Sequence, residues 1–165
     1  MTRIMTYAAL MCLALSGLLV FSNSMNARSG TAVPDACDLL KVSDVTPLLG
    51  GTPVSQGSPG GQVCTWKGAD PKRKLMVITY RAEGPGAEAA FGGARHGAQA
   101  DAEAKVSDET GIGDKAFSAQ VSFGAIFVVL KKGRLLQLQY WTGDRGTSQD
   151  LEALRPVAMK AVAAF

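Results

Sequence analysis

The chain has 165 residues, 47% of them hydrophobic and 19% charged, with a formal net charge of +3. That composition fits one globular domain and excludes a disordered chain. Lysine and arginine are scattered rather than striped, which excludes nucleic acid as a partner.

The first charge, Arg3, is followed by a nearly uncharged run at residues 7–21 that is apolar except for Ser16. This is the order of a signal peptide, and the run is short for a membrane span. Small residues at Ser22-Asn23-Ser24, Met25-Asn26-Ala27 or, further off, Gly30-Thr31-Ala32 offer cleavage sites. The expected division is a signal peptide over residues 1–27 and a single α+β domain over residues 28–165. An uncleaved anchor is the alternative. Cleavage there removes only the charge of Arg3, and leaves no stable transmembrane span. The mature protein is then periplasmic or secreted.

Cys12 leaves with the signal peptide, and Leu10-Met11 before it are too large for a lipidation site. Cys37 and Cys64 remain, an even pair in an oxidising compartment, and are expected to form a disulfide. A loop of this length constrains the unfolded chain by roughly 3–4 kcal/mol in the entropic account.

Residues 28–34 form a small, polar lead-in. Residues 36–51 read as a turn and then a helix, with Ser43 as N-cap, Gly50 as the stop, and Val45, Leu48 and Leu49 on the apolar side. Residues 52–56 offer a short strand before the Gly57-Ser58-Pro59-Gly60-Gly61 loop. Residues 62–67 read as a strand with Cys64 and Trp66 on one face. Residues 74–81 read as a second strand, apolar on both faces and therefore internal to the sheet. Residues 87–105 read as an alanine-rich helix weakened by Gly92, Gly93 and Gly97, with Phe91 as its one large anchor. Residues 106–113 read as a polar connection, and residues 114–119 as a strand pairing with the hairpin next in the chain.

That hairpin is the centre of the fold. Val121, Phe123, Ala125, Phe127 and Val129 alternate, as do Leu136, Leu138 and Tyr140. A two-residue turn at Lys132-Gly133 sets Val129 against Leu136, Phe127 against Leu138 and Ala125 against Tyr140. Ile126, Val128, Leu130, Leu135 and Trp141 fall on the other face, which is also apolar. A helix, a neighbouring protomer or a ligand has to cover it. A final helix starts at Thr147, which forms a capping box with Asp150, and Pro156 is expected to kink or divide it. The whole is an α+β fold: an antiparallel sheet of five to six strands packed against helices, in the order α-β-β-α-β-β-β-α.

Asp35-Ala36-Cys37-Asp38-Leu39-Leu40, then Asp44-Val45 and Leu49-Gly50, then a second cysteine two residues before an aromatic, resemble a family of small exported bacterial proteins. Gly111-Ile112-Gly113-Asp114-Lys115-Ala116-Phe117, followed by a hairpin and a last helix, resembles that family's second half. The family is common among actinobacterial lipoproteins and is known mainly as a domain of unknown function. The resemblance implies an α+β fold with a disulfide and brings no catalytic residues. This chain departs from it in lacking a lipobox cysteine at the expected place.

Chemistry is sparse. Gly111 to Ala116 spells G-x-G-x-x-A, but without the preceding strand and following helix that a dinucleotide site requires. No cofactor is implied. His96 is the sole histidine and lies on the weak middle helix, so neither a nucleophilic triad nor a metal set is expected. Asp101, Glu103, Asp108, Glu109 and Asp114 lack calcium-loop spacing. Lys72-Arg73-Lys74, and Lys131-Lys132 with Arg134, sit at predicted turns, where they blunt strand ends or draw an anionic envelope polymer or headgroup. The expected activity is that of an exported, non-catalytic binding or accessory protein. Its expected partner is an envelope protein or an apolar small molecule. Trp66, Ile126, Val128, Trp141, Lys72, Arg73 and Lys74 are the candidate binding residues. The alternatives are an envelope enzyme using carboxylates such as Asp108 or Asp114, and a structural envelope component.

Overall fold

The computed structural model describes residues 33–165. The expected signal peptide and its cleavage sites lie outside the described residues. The elements in chain order are α1 (Val42–Leu49), β1 (Val54–Gly57), β2 (Val63–Lys67), β3 (Lys74–Glu83), α2 (Pro85–Ala100), β4 (Lys105–Glu109), β5 (Lys115–Val121), β6 (Gly124–Lys131), β7 (Arg134–Trp141) and α3 (Ser148–Ala164). No helix among the described residues is long and apolar enough to cross a membrane.

The strands form one antiparallel sheet in the order β1-β2-β3-β7-β6-β5-β4. Its centre is the hairpin of β6 and β7. Lys132 and Gly133 both take positive φ, 51° and 70°, the geometry of a tight hairpin turn matched to strand twist. Val129 pairs with Leu136, Phe127 with Leu138 and Ala125 with Tyr140, the register read from the alternation.

The sheet has seven strands rather than five or six, and the order is α-β-β-β-α-β-β-β-β-α. The strands that the expected order lacks are its edges: β1, which residues 52–56 offered as a short strand, and β4, which was not expected. β1 is exposed at all four residues, and β4 reads Lys-Val-Ser-Asp-Glu with no buried residue. An edge strand with two wet faces carries no hydrophobic alternation, so residues 106–113 read as a connection although half of them are strand. Helix α2 accordingly ends at Ala100, short of the expected 105.

Helices cover both faces. On one side α1 and α3 pack with Leu75, Val77, Ala125, Phe127, Val129, Leu136, Leu138 and Tyr140. On the other, α2 covers Phe117, Ala119, Val128, Leu130 and Leu135, with Phe91 edge-on to Phe117 at 5.3 Å. Helix α1 starts two residues earlier than Ser43 as N-cap allows. Lys41 is its N-cap, and the Asp44 carboxylate accepts the Lys41 N–H at 2.9 Å. In α3 the expected capping box forms, and the helix runs through Pro156 without dividing.

Cys37 and Cys64 are bonded. Cys37 lies in the turn before α1, not in the helix, so the bridge fastens that turn to β2.

Candidate functional site

The register lays out the face on which α2 sits. Directly paired residues point to the same side of a sheet. One transverse row therefore runs Val54, Lys67, Lys74, Trp141, Gly124 and Val121, crossing from β1 to β5. The next row runs Gln56, Thr65, Met76, Gln139, Ile126 and Ala119. A third runs Val63, Ile78, Gln137, Val128 and Phe117.

Helix α2 crosses these rows obliquely. Its N-terminal end is tied near the hairpin turn, where Gly84 N–H donates to the Gly133 carbonyl at 2.8 Å. Its C-terminal end is tied beside the β5–β6 turn, where the Asp101 carboxylate accepts the Ser122 N–H at 2.8 Å. The diagonal buries Ile126 and Val128 and leaves the rows from β1 to β7 only half-covered.

Two clefts border this open part. The first, about 330 Å³, runs along the C-terminal half of α2 and is lined by Ala94, Gly97 and Ala98 above and Val121, Phe123 and Ile126 below. Gln137, Gln139, Ser122 and Asp101 supply its polar atoms. The second, about 440 Å³, lies over β2 and β3 and includes Thr65, Lys67, Lys74 and Met76. Met76 and Gln139 are paired across β3 and β7, so the two clefts meet along that pair. A third hollow of about 440 Å³ lies at Asp35, Gly61 and Arg81, around the same Gly57–Gly61 loop that borders the second.

Two of the polar groups of the first cleft, Gln137 and Asp101, are held in place. Gln137 is 8% exposed, and its Oε1 accepts the Tyr80 hydroxyl at 2.8 Å, which leaves its amide N–H₂ to serve the cleft. Burial pushes the Tyr80 phenol up, so it stays a donor at neutral pH. The Ser122 and Glu103 N–H groups hold the Asp101 carboxyl below its usual range, with Arg145 beside it at 3.8 Å.

Trp141 is half-buried between two neighbours. Phe123 stacks on its ring at 4.1 Å, and the Lys74 ammonium lies over the ring at 4.2 Å. Two groups that close to one ring centre must take opposite faces. The indole Nε1 is buried without a hydrogen-bond partner.

The structure separates the residues that the sequence grouped. Trp66 is 4% exposed and packs on the α1/α3 side, back to back with the open face. Ile126 lines the first cleft from beneath α2, while Val128 is wholly buried under it. Trp141 and Lys74 meet at the open rows. Lys72 and Arg73 are exposed on the preceding turn, where Arg73 pairs with Asp70 at 3.6 Å. Sequence reasoning missed Gln137, Gln139 and Lys67. The two glutamines were visible as polar interruptions in an apolar strand, and that was the available signal.

The carboxylates of the enzymatic alternative do not converge. Asp108 pairs with Arg95 of α2, and Asp114 accepts the Lys132 N–H at the hairpin turn. Gly111 and Gly113 form a positive-φ turn that leads into a strand, not a helix. Among the described residues, no three His, Cys, Asp or Glu side chains cluster as a metal set. No protein-family profile, curated protein or solved structure matches the chain.

Proposed function

We propose that this chain is an exported, non-catalytic binding protein of the bacterial envelope that takes an apolar small molecule in the cleft beside α2. The observation that carries the reading is the diagonal of α2 with its glycines. Gly97 lines the cleft, and a Cβ there meets nothing within 4 Å, so the helix that covers β5 and β6 leaves a slot along its own flank. The cleft is apolar at Val121, Phe123 and Ile126, and its Gln137 and Asp101 are fixed by partners, in keeping with a preformed ligand site. The positively charged start followed by an apolar run, and a disulfide that persists only in oxidising surroundings, support the exported setting.

Titration of the purified protein with a neutral naphthylamine fluorophore tests this. Saturable one-to-one binding is expected. Gly97→Leu fills the slot while improving helix propensity, and should abolish that binding without loss of thermal stability. Absence of saturable binding, or binding indifferent to Gly97→Leu, overturns the reading.

A further inference from the structure

The open rows hold a charge arrangement that the fold does not need. Lys67 and Lys74 are directly opposite each other on β2 and β3. Like charges in that relation destabilise a sheet. No acidic residue stands among the three rows between β1 and β7, and neither lysine forms an ion pair among the described residues. Four basic side chains elsewhere on or beside the sheet are answered by acids. Arg95 meets Asp108, Lys115 meets Glu88, Arg155 meets Glu109 and Arg145 meets Glu103.

We propose that the ligand of this site is a single-chain anionic amphiphile, its chain in the cleft beside α2 and its acid head between Lys67 and Lys74. The inference rests on the cleft being a binding site. It adds the chemistry of the head group and the direction of binding.

Three observations converge on it. The cleft and the lysine pair are joined along Met76 and Gln139, so one molecule can lie across both. From Ile126 on β6 to Lys74 on β3 is two strand spacings, about 10 Å, within the reach of a medium-length alkyl chain. Asp101 stands at the other end of the cleft, by the β5–β6 turn, and its negative charge there turns an acid head away toward the lysines. Finally, both faces of Trp141 are occupied, by Phe123 and by Lys74. The one large aromatic of the open rows therefore has no face on which a sugar ring can stack, which disfavours a glycan polymer.

Calorimetric titration of the purified protein with decanol, decanoate, decyl phosphate and inorganic phosphate, each below its aggregation threshold, provides the test. At low salt the two anionic amphiphiles should bind at least about tenfold more tightly than decanol, and inorganic phosphate alone should bind weakly. The ratio of decyl phosphate to decanoate affinity tells which head the lysines prefer. Lengthening the chain by one methylene should tighten binding about three- to fourfold until the cleft is full. In Lys67→Ala/Lys74→Ala the anionic advantage should vanish, both acids falling to the decanol value. If decanol binds as well as the acids, or if the double variant keeps the preference, the head-group assignment is overturned while the cleft stands. If no member of the series binds, both readings fall together. Gly97→Leu should weaken all three chain-bearing ligands alike, and an effect on only the acids also counts against the proposal.

Discussion

Gly92, Gly93 and Gly97 lie within two turns of α2, and a Cβ at any of them meets nothing within 4 Å. Their φ values are not in the left-handed region, so nothing local requires glycine. Gly93→Ala should therefore stabilise the protein by about 0.5–1 kcal/mol, through helix propensity and a less free unfolded chain. A rise in urea midpoint with an unchanged m-value is the check. Gly146 is the opposite case. Its N–H donates to the Val121 carbonyl at 3.0 Å, and a Cβ would drive into the Gly124 carbonyl oxygen. Backbone cannot yield as a side chain can, so Gly146→Ala should cost about 1–3 kcal/mol, read as a fall in the same midpoint. At this scale the sequence was readable in its faces and silent about its neighbours. Alternation put Trp66 beside Cys64, and that is where it lies. Which face stays open depends on where α2 comes to rest, a matter of contacts distant in sequence.

Helix α1 is eight residues long, too short to persist alone, and besides its buried Val45, Leu48 and Leu49 one charged side chain ties it to α3. Asp44 accepts the Lys41 N–H at 2.9 Å and pairs with Lys160 of α3 at 2.7 Å. The Lys160 ammonium first, and the Lys41 N–H second, hold its carboxyl below the ordinary value of 3.8. A carboxyl that titrates lower in the folded chain contributes stability fully above its unfolded value, and loses it as pH falls through the folded one. The melting temperature should thus decline on acidification from about pH 4 downward. It should decline less steeply in Asp44→Asn, whose amide keeps the cap but cannot titrate. Parallel curves for the two proteins would remove Asp44 from the account. Elements with a buried face were legible: β2, β3, β5 and the β6–β7 hairpin all emerge from apolar patterning and turn residues. Of the edges, β1 was readable as a short strand at residues 52–56, and β4 was not. An edge strand is specified by the partner it pairs with, and Lys105 to Glu109 carry no pattern of their own.

The whole molecule is unevenly supported. Strands β5, β6 and β7 lie between α3 on one side and α2 on the other, with every β6 residue from Gly124 to Leu130 buried. Strand β2 has the helix layer on one side only and the open face of the proposed site on the other, and β1 beside it is exposed at all four residues. The Cys37–Cys64 bridge falls at this weaker end and fastens the turn before α1 to the back of β2. Constraining a loop of 27 residues' separation is worth roughly 3–4 kcal/mol in the entropic account. Reduction should lower the urea-unfolding free energy by about that amount, and the loss should be spatially uneven. Amide hydrogen exchange should accelerate first at Val63–Lys67 and Val54–Gly57, while Gly124–Lys131 keeps protection up to the global limit. Because Lys67 and Thr65 form the floor of the open site, the same treatment should weaken decyl phosphate binding before the protein unfolds. Equal exchange in β2 and β6 after reduction would mean that the bridge acts only through the unfolded chain. The open face would then have to be held by the strand pairing of β2 with β3 alone.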